Sequence, residues 1–266
     1  MEKSLCLSSI LIIFSIVFSF DVHAQKQNRT MKKAEVLFEL EQYFKAIDLY
    51  KKAYKKSKSK AEKAEIIFKQ AECYRISGKI KQAQNYYKRA IKAKYPNVIV
   101  YLRYADVLRM LGNLEEAVTQ YKKYIKFNPT DFRGEMGLKS CEFALKWQDN
   151  PTRYNVELMP LVNSRYSDFS PAFGNSDYSE LYFTSSRNGG LSDKIDGRTG
   201  EAFSDVWYSR IDKKGSWSRP SVMPEPINTE GNEGPLHVNM RGTVMYLTQC
   251  KVEKKKNLGC GICVSE

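Results

Sequence analysis

Three copies of one short helix constrain this chain more than any other feature. They are AIDLYKKA from Ala46 to Ala53, AQNYYKRA from Ala83 to Ala90 and AVTQYKKY from Ala117 to Tyr124. The leading alanines are 37 and then 34 residues apart. In each copy a tyrosine follows the alanine by four residues, at Tyr50, Tyr87 and Tyr121. On a helix, residues four apart share a face. A small residue there lets a neighbouring helix come close, and the aromatic ring fills the space beside the crossing. A second helix precedes each copy, with Ala34, Ala71 and Ala105 at its small position and Leu37, Tyr74 and Leu108 three residues on. Gly78 and Gly112 stand at the turns between paired helices, and Glu41 takes that place in the first copy. The longer first interval falls in the KSKSK run from Lys56 to Lys60. Units that hide their apolar faces against their neighbours build an open stack.

This spelling resembles the tetratricopeptide repeat, with three copies held in register and the third closed by Pro129. Asp131 to Trp147, DFRGEMGLKSCEFALKW, reads as a final helix that caps the stack. Cys73 and Cys141 fall within helices and read as small buried hydrophobes. The resemblance implies a concave groove that binds peptide segments. Carried over by register, its positions are Glu35, Phe38, Phe68, Glu72, Arg75, Leu102, Asp106 and Arg109. Arg75 and Arg109 are candidates to clamp a carboxylate, because a guanidinium offers two coplanar donors. The competing reading makes these ordinary solvated side chains, or contacts to another part of the same chain.

Ahead of the helices, MEKSLCLSSILIIFSIVFSFDVHAQ pairs an early Lys3 with an apolar run from Leu5 to Phe20 and small residues before Gln25. That is the pattern of a secretory signal peptide, residues 1–24. A retained anchor is the alternative, but the run is 16 residues and a span usually needs ~20. An exported protein of the periplasm, or of the periplasmic face of the outer membrane, is expected, with no membrane span after cleavage.

Charge is unevenly placed. Residues 25–150 hold 28 Lys and Arg against 14 Asp and Glu, and residues 151–266 hold 14 of each. In an exported chain this excess points to anionic envelope surfaces or acidic proteins, not to nucleic acid. Lysines covering helix backs would give the same count.

The period changes after Gln148-Asp149-Asn150-Pro151-Thr152, which divides the helical part (25–150) from the rest (151–266). Alternation now predicts strands at Tyr154–Leu158, Ser170–Phe173, Glu180–Ser185 and Asp205–Ser209, with Ser216-Trp217-Ser218 on a fourth blade strand. Asn188-Gly189-Gly190 reads as turn chemistry. A second copy follows: Pro171, Tyr182 and Thr184 recur as Pro235, Tyr246 and Thr248, all 64 residues on, and GICVS repeats a later strand.

SPAF, LYFTSSRNGG and DVWYSR followed by G-x-W resemble the WD-repeat-like blades of TolB-type β-propellers. The fold class is then a tetratricopeptide α-solenoid followed by the first one to two blades of a β-propeller. Propellers use four to eight blades, so further sequence beyond Glu266 is expected. The whole order is similar to OmpA-family periplasmic proteins of Bacteroidota linked to gliding motility and type IX secretion. The resemblance implies a non-enzymatic scaffold that docks protein partners through the groove and the propeller face. The peptidoglycan-binding domain and lipidated cysteine of that family have no counterpart in these residues. The rival classes are the leading part of a propeller-containing hydrolase and a glycan- or peptide-sensing module.

Candidate chemistry is sparse, and no cofactor is expected. After residue 24 the single histidine is His237, too few for a Ser/His/Asp set. Cys250 and Cys260 flank KVEKKKNLG, read as a hairpin loop, and a cross-strand disulfide between them is expected in an oxidising compartment. Cys260-Gly-Ile-Cys263 spells C-x-x-C, but on a strand residues three apart face opposite ways. Asp193, Asp196 and Asp205 flank a glycine-rich loop without the spacing of a calcium loop, so solvated acids are the default.

Overall fold

A computed structural model describes residues 29–192, 194–253 and 256–266. The leader assigned to residues 1–24 and Asp193 lie outside the described residues. Seven helices come first: α1 (Arg29–Glu39), α2 (Tyr43–Lys56), α3 (Lys60–Ile76), α4 (Ile80–Lys92), α5 (Ile99–Met110), α6 (Leu114–Phe127) and α7 (Phe132–Gln148). Each packs against the next, and α5 also touches α7. Among the described residues no helix is long and apolar enough to cross a membrane.

The crossings form as the sequence pattern demands. Ala34, Ala46, Ala71, Ala83, Ala105 and Ala117 are fully buried, and so are Tyr50, Tyr87 and Tyr121. The paired helices turn by one repeated device. Gln42 N–H donates to Leu37 O, Lys79 N–H to Tyr74 O and Asn113 N–H to Leu108 O, closing the ends of α1, α3 and α5. The residue before each donor is left-handed: Glu41 at φ 57°, Gly78 at 75° and Gly112 at 76°. Glycine takes that conformation without strain and Glu41 does not. The starts of α3 and α7 are sealed by their N-cap side chains: Ser59 Oγ accepts from Glu62 N–H and Asp131 Oδ1 from Arg133 N–H.

The last helix uses glycines where the repeats use alanine. A Cβ on Gly137 would lie 2.2 Å from the Tyr121 ring, and one on Gly134 would lie 2.9 Å from Ile125. These residues let α7 close on α6. Cys141 is buried beneath it.

The remainder is two antiparallel sheets. The first runs β1 (Asp168–Phe173), β2 (Glu180–Ser185), β3 (Asp205–Arg210), β4 (Ser221–Val222) in spatial order. The second runs β5 (Asn232–Val238), β6 (Met245–Glu253), β7 (Lys256–Ser265). The 64-residue repeat reappears as geometry: pairing slips between Phe169 and Ala172 in β1 and between Glu233 and Leu236 in β5. Pro171 and Pro235 sit in those slips, where a residue without an N–H interrupts no ladder bond.

The sheets pack face to face. Val206, Leu236, Val238 and Leu247 are buried between them with Tyr182 and Ala172 alongside. Thr184 Oγ1 donates to Gly234 O at 2.8 Å, and Leu236 N–H donates to Ser170 Oγ at 3.2 Å. The opposite face of the first sheet buries Leu181, Phe183 and Trp207 under Met159 and Val162. Arg187 lies over the Phe183 and Trp207 rings, pairs with Asp168 at 2.6 Å and donates to Val162 O.

Three expectations need correction. Tyr154–Leu158 forms no strand; the segment alternates, but among the described residues no neighbouring strand bonds to its backbone. Trp217 makes one isolated bridge to Ile211, and the fourth strand is Ser221–Val222, where the chain realigns with Trp207 and Tyr208. The residues between Cys250 and Cys260 are not an open loop, since Val252 pairs with Asn257 and Glu253 with Lys256. The described sheets do not close into a ring; they are two packed neighbours.

The β2–β3 connection reaches back to the helices. Phe44 N–H donates to Gly197 O at 3.2 Å, Arg198 pairs with Glu41 at 3.2 Å and Lys79 pairs with Glu201 at 2.5 Å. The last pair is mostly buried, and Glu201 also accepts from Ser167 N–H. Gly200 sits at φ 71° against the Phe44 ring, where a Cβ would come within 2.4 Å. The contact falls on the turns at Glu41 and Gly78, so it ties the sheets to two consecutive helix pairs.

Gly137→Ala is expected to cost about 1–3 kcal/mol by forcing α7 away from Tyr121, read as a lower denaturant midpoint of the helical signal. Gly200→Leu is expected to separate the two halves, so that near- and far-ultraviolet thermal unfolding curves cease to coincide.

Candidate functional site

The face built by α1, α3 and α5 carries a polar ladder with the period of the repeat. Arg75 Nη2 binds Glu72 Oε2 at 2.8 Å, and Arg75 Nε donates to the Tyr87 hydroxyl at 3.2 Å. Tyr87 in turn donates to Glu72 Oε1. One repeat later Tyr121 donates to Asp106 Oδ1 at 2.7 Å, and Arg109 Nε donates to the Tyr121 hydroxyl at 3.3 Å. Arg103 lies between the two units, 3.9 Å from Glu72 and 3.7 Å from Asp106. Burial pushes the Tyr87 and Tyr121 hydroxyls well above the usual phenol range, with Glu72 and Asp106 adding to the rise. Both therefore stay protonated and hold the carboxylate on one side and the arginine on the other.

The first unit is different. Glu35 occupies the acidic position, but Phe38 stands where Arg75 and Arg109 stand later. Phe38 packs edge-on to Tyr43 at 5.3 Å, with Lys69 over its ring at 5.8 Å. The buried Tyr50 hydroxyl has no hydrogen-bond partner among the described residues. The substitution of Phe for Arg removes the donor that the other two tyrosines receive.

The structure brings Glu72, Arg75, Asp106 and Arg109 together and places Phe38 and Glu35 at one end of the same face. Phe68 and Leu102 do not share that surface. Phe68 stacks on Tyr95 at 4.3 Å within the core, and Leu102 is 1% exposed. Their register puts them at the inward edge of the helix, so the groove-lining role assigned to both is withdrawn. Sequence reading missed Arg103; its signal was a third arginine three residues before Asp106, one helical turn away. Arg75 Nη1 and both terminal nitrogens of Arg109 are without a partner among the described residues.

The sheets offer two other features. Cys250 and Cys260 face each other across β6 and β7 and form a disulfide. Cys263 is free and points to the other side. Asp205 and Glu233 are 1% and 0% exposed, each with one carboxylate oxygen unpartnered among the described residues. Burial lifts Asp205 to about 6 and Glu233 to about 7, with Asp205 raising Glu233 further. Asp205 lies under the Asn188–Gly190 turn and accepts from Leu191 N–H at 3.2 Å. Among the described residues no cluster of three or more His, Cys, Asp or Glu is placed to hold a metal. His237 is exposed on β5.

Residues 26–95 match one tetratricopeptide-repeat family model, and residues 68–132 match another. Residues 26–132 are tetratricopeptide repeats. Among solved structures, the repeats resemble the first such domain of human RPAP3, with 22% identity over 46% of this chain and 94% of that one, at a TM-score of 0.41. The Sgt2 domain of Aspergillus fumigatus is 18% identical over 48% of this chain and 87% of that one, at 0.41. The first domain of Spaghetti, solved with the HSP90 peptide SRMEEVD, is 21% identical over 47% of this chain and 98% of that one, at 0.40. No curated protein matches the chain.

Asp205 and Glu233 predict a pH dependence with a definite sign. Their folded values lie above the ordinary 3.8 and 4.5. The stability they contribute is full below those ordinary values and is lost as pH rises through about 6 and 7. Glu233→Gln is expected to stabilise the sheets near pH 8 by on the order of 2 kcal/mol, read as a higher thermal midpoint, and to give no gain near pH 4. Melting curves followed across that range check it.

Proposed function

We propose that the repeats hold an extended, acidic segment of a protein partner along the ladder face, and that the chain serves as a non-enzymatic scaffold. The observation that carries this is the pair of guanidinium groups at Arg75 and Arg109. Each is oriented by a buried tyrosine hydroxyl, and among the described residues Arg75 Nη1 and both terminal nitrogens of Arg109 have no partner. They stand on the first helices of successive repeats, so they present donors at a fixed spacing to a segment lying across the helices. Arg103 adds a third positive charge between them. Carboxylates bound in this way form charge-assisted hydrogen bonds, the strongest kind available to a surface groove. Phe38 at one end supplies an apolar wall, half-buried and braced by Tyr43.

Tetratricopeptide repeats are protein-interaction modules, and stacked repeats create concave surfaces of this kind. In our reading the partner belongs to a cell-envelope or secretion assembly of the type IX kind. The support is the apolar leader pattern at residues 1–24 and the disulfide in the second sheet, which suits an oxidising compartment. The same reading takes the two sheets as successive blades of a β-propeller that offers a second docking face. Their 64-residue repeat, the matching slips at Pro171 and Pro235 and the face-to-face packing support it.

Binding of fluorescent acidic peptides tests the groove. Arg75→Ala with Arg109→Ala is expected to weaken binding by roughly 2–5 kcal/mol while leaving the fold intact. Unchanged affinity, or equal affinity for a neutral peptide of the same length, would overturn the proposal.

A further inference from the structure

Helix α7, which closes the stack, is apolar on both sides. Its inner side carries the buried Cys141, with Leu138, Ala144 and Leu145 packed on the same core. Its outer side carries Phe132, Met136, Phe143 and Trp147, which are 68%, 58%, 64% and 50% exposed. At about 100° per residue these four and Ser140 fall within roughly 80° of arc, so they form one stripe. A terminal element of a repeat stack normally turns a polar face outward. α7 does the reverse, and apolar residues all round are the mark of a helix that is covered on both sides. The sheets that follow lie against the turns before α2 and α4 and leave the stripe open.

The stripe is symmetric about its middle. Ser140 stands at the centre, flanked by Met136 and Phe143 and then by Phe132 and Trp147. The Ser140 hydroxyl donates to Met136 O at 2.8 Å, so it brings no unpaired polar group to a dry contact. Phe143 and Trp147 brace one another, with ring centroids 5.9 Å apart. One border of the stripe carries the exposed residues Glu135, Lys139, Glu142 and Lys146, whose charges alternate in sign.

We propose that the stripe is an interface between two copies of this chain, with their α7 helices antiparallel about a two-fold axis at Ser140. Ser140 then meets its counterpart, and the small side chain lets the helices approach. Met136 packs on Phe143 of the second copy, and Phe132 on its Trp147. Glu135 faces Lys146 of the second copy, and Lys139 faces its Glu142. Symmetry makes each contact twice, as a self-complementary patch requires. A parallel pair would set every one of these charges beside its own kind. The balanced border also favours a second copy over an anionic bilayer, which selects an excess of basic residues around an apolar face. Three rings and a methionine from each copy make an interface at the small end of specific ones, so the dimer depends on concentration.

Sedimentation of the whole chain tests the pairing. Mass is expected to rise toward twice the monomer as concentration increases. Met136→Glu with Phe143→Glu is expected to weaken dimerisation by roughly a hundredfold or more, with an unchanged thermal midpoint because both residues are exposed. Glu142→Lys alone is expected to weaken it about tenfold, and the addition of Lys139→Glu to restore it. Ser140→Cys, oxidised, is expected to give a disulfide-linked dimer above the level formed by the unmodified chain. A chain that stays monomeric, association that survives Met136→Glu with Phe143→Glu, no rescue by Lys139→Glu, or monomers captured by anionic vesicles through Phe143 would each overturn the proposal.

Discussion

The close contact of alanine and tyrosine at the helix crossings is the constraint on which the rest of the molecule depends. A Cβ and nothing more at Ala46, Ala83 and Ala117 lets paired helices approach, and Tyr50, Tyr87 and Tyr121 fill the space left beside them. Because each ring is fully buried, its hydroxyl emerges at one place only, on the face formed by the first helices. There it meets the carboxylate at position 72 or 106 and the guanidinium at position 75 or 109. A packing rule thereby sets the position of the charged groups on the ladder face. The first repeat shows the dependence by exception: Phe38 replaces the arginine, and the Tyr50 hydroxyl has no partner among the described residues.

The sheets obey a different logic. Each buries one face on its neighbour, and the slips at Pro171 and Pro235 bend the leading strand of each sheet so that contact is possible. The first sheet is covered on both faces, by Met159 and Val162 on one and by the second sheet on the other. The second sheet leaves Tyr246, Ile262 and Val264 in solvent. The contact with the helices runs through the β2–β3 connection, where Gly197 and Gly200 allow the backbone to lie directly on Gln42 and Phe44. Glu201 then joins the turn at Lys79 to the start of the first sheet through Ser167.

Much of this was legible in the sequence because it is periodic. The register of Ala, Tyr and Gly over three repeats gives the helices, their turns and the ladder positions. Strands β2 and β3 follow from alternation bounded by turn residues, and Cys250 and Cys260 from their flanking strands. Alternation failed at Tyr154–Leu158 because a pattern states which side chains share a face and not whether a neighbouring strand exists. It failed at Trp217 because one isolated bridge looks the same as a strand in sequence. Phe68 and Leu102 were misplaced by carrying over a family position without the rotation of each helix.

What the sequence determined by itself, then, is every feature set by contacts at a fixed short spacing: helix pairs, left-handed turns at Gly78 and Gly112, and the recurrence of Glu72, Arg75 and Tyr87 as Asp106, Arg109 and Tyr121. The tertiary structure alone decided features made by residues far apart in the chain. Lys79 and Glu201 are 122 residues apart, and no local pattern marks either as a partner. Asp205 reads as a solvated acid beside a loop until the sheets close over it and Glu233 and take away the water that would keep them charged. Desolvation and long-range pairing belong to the folded arrangement, since neither exists until distant segments meet.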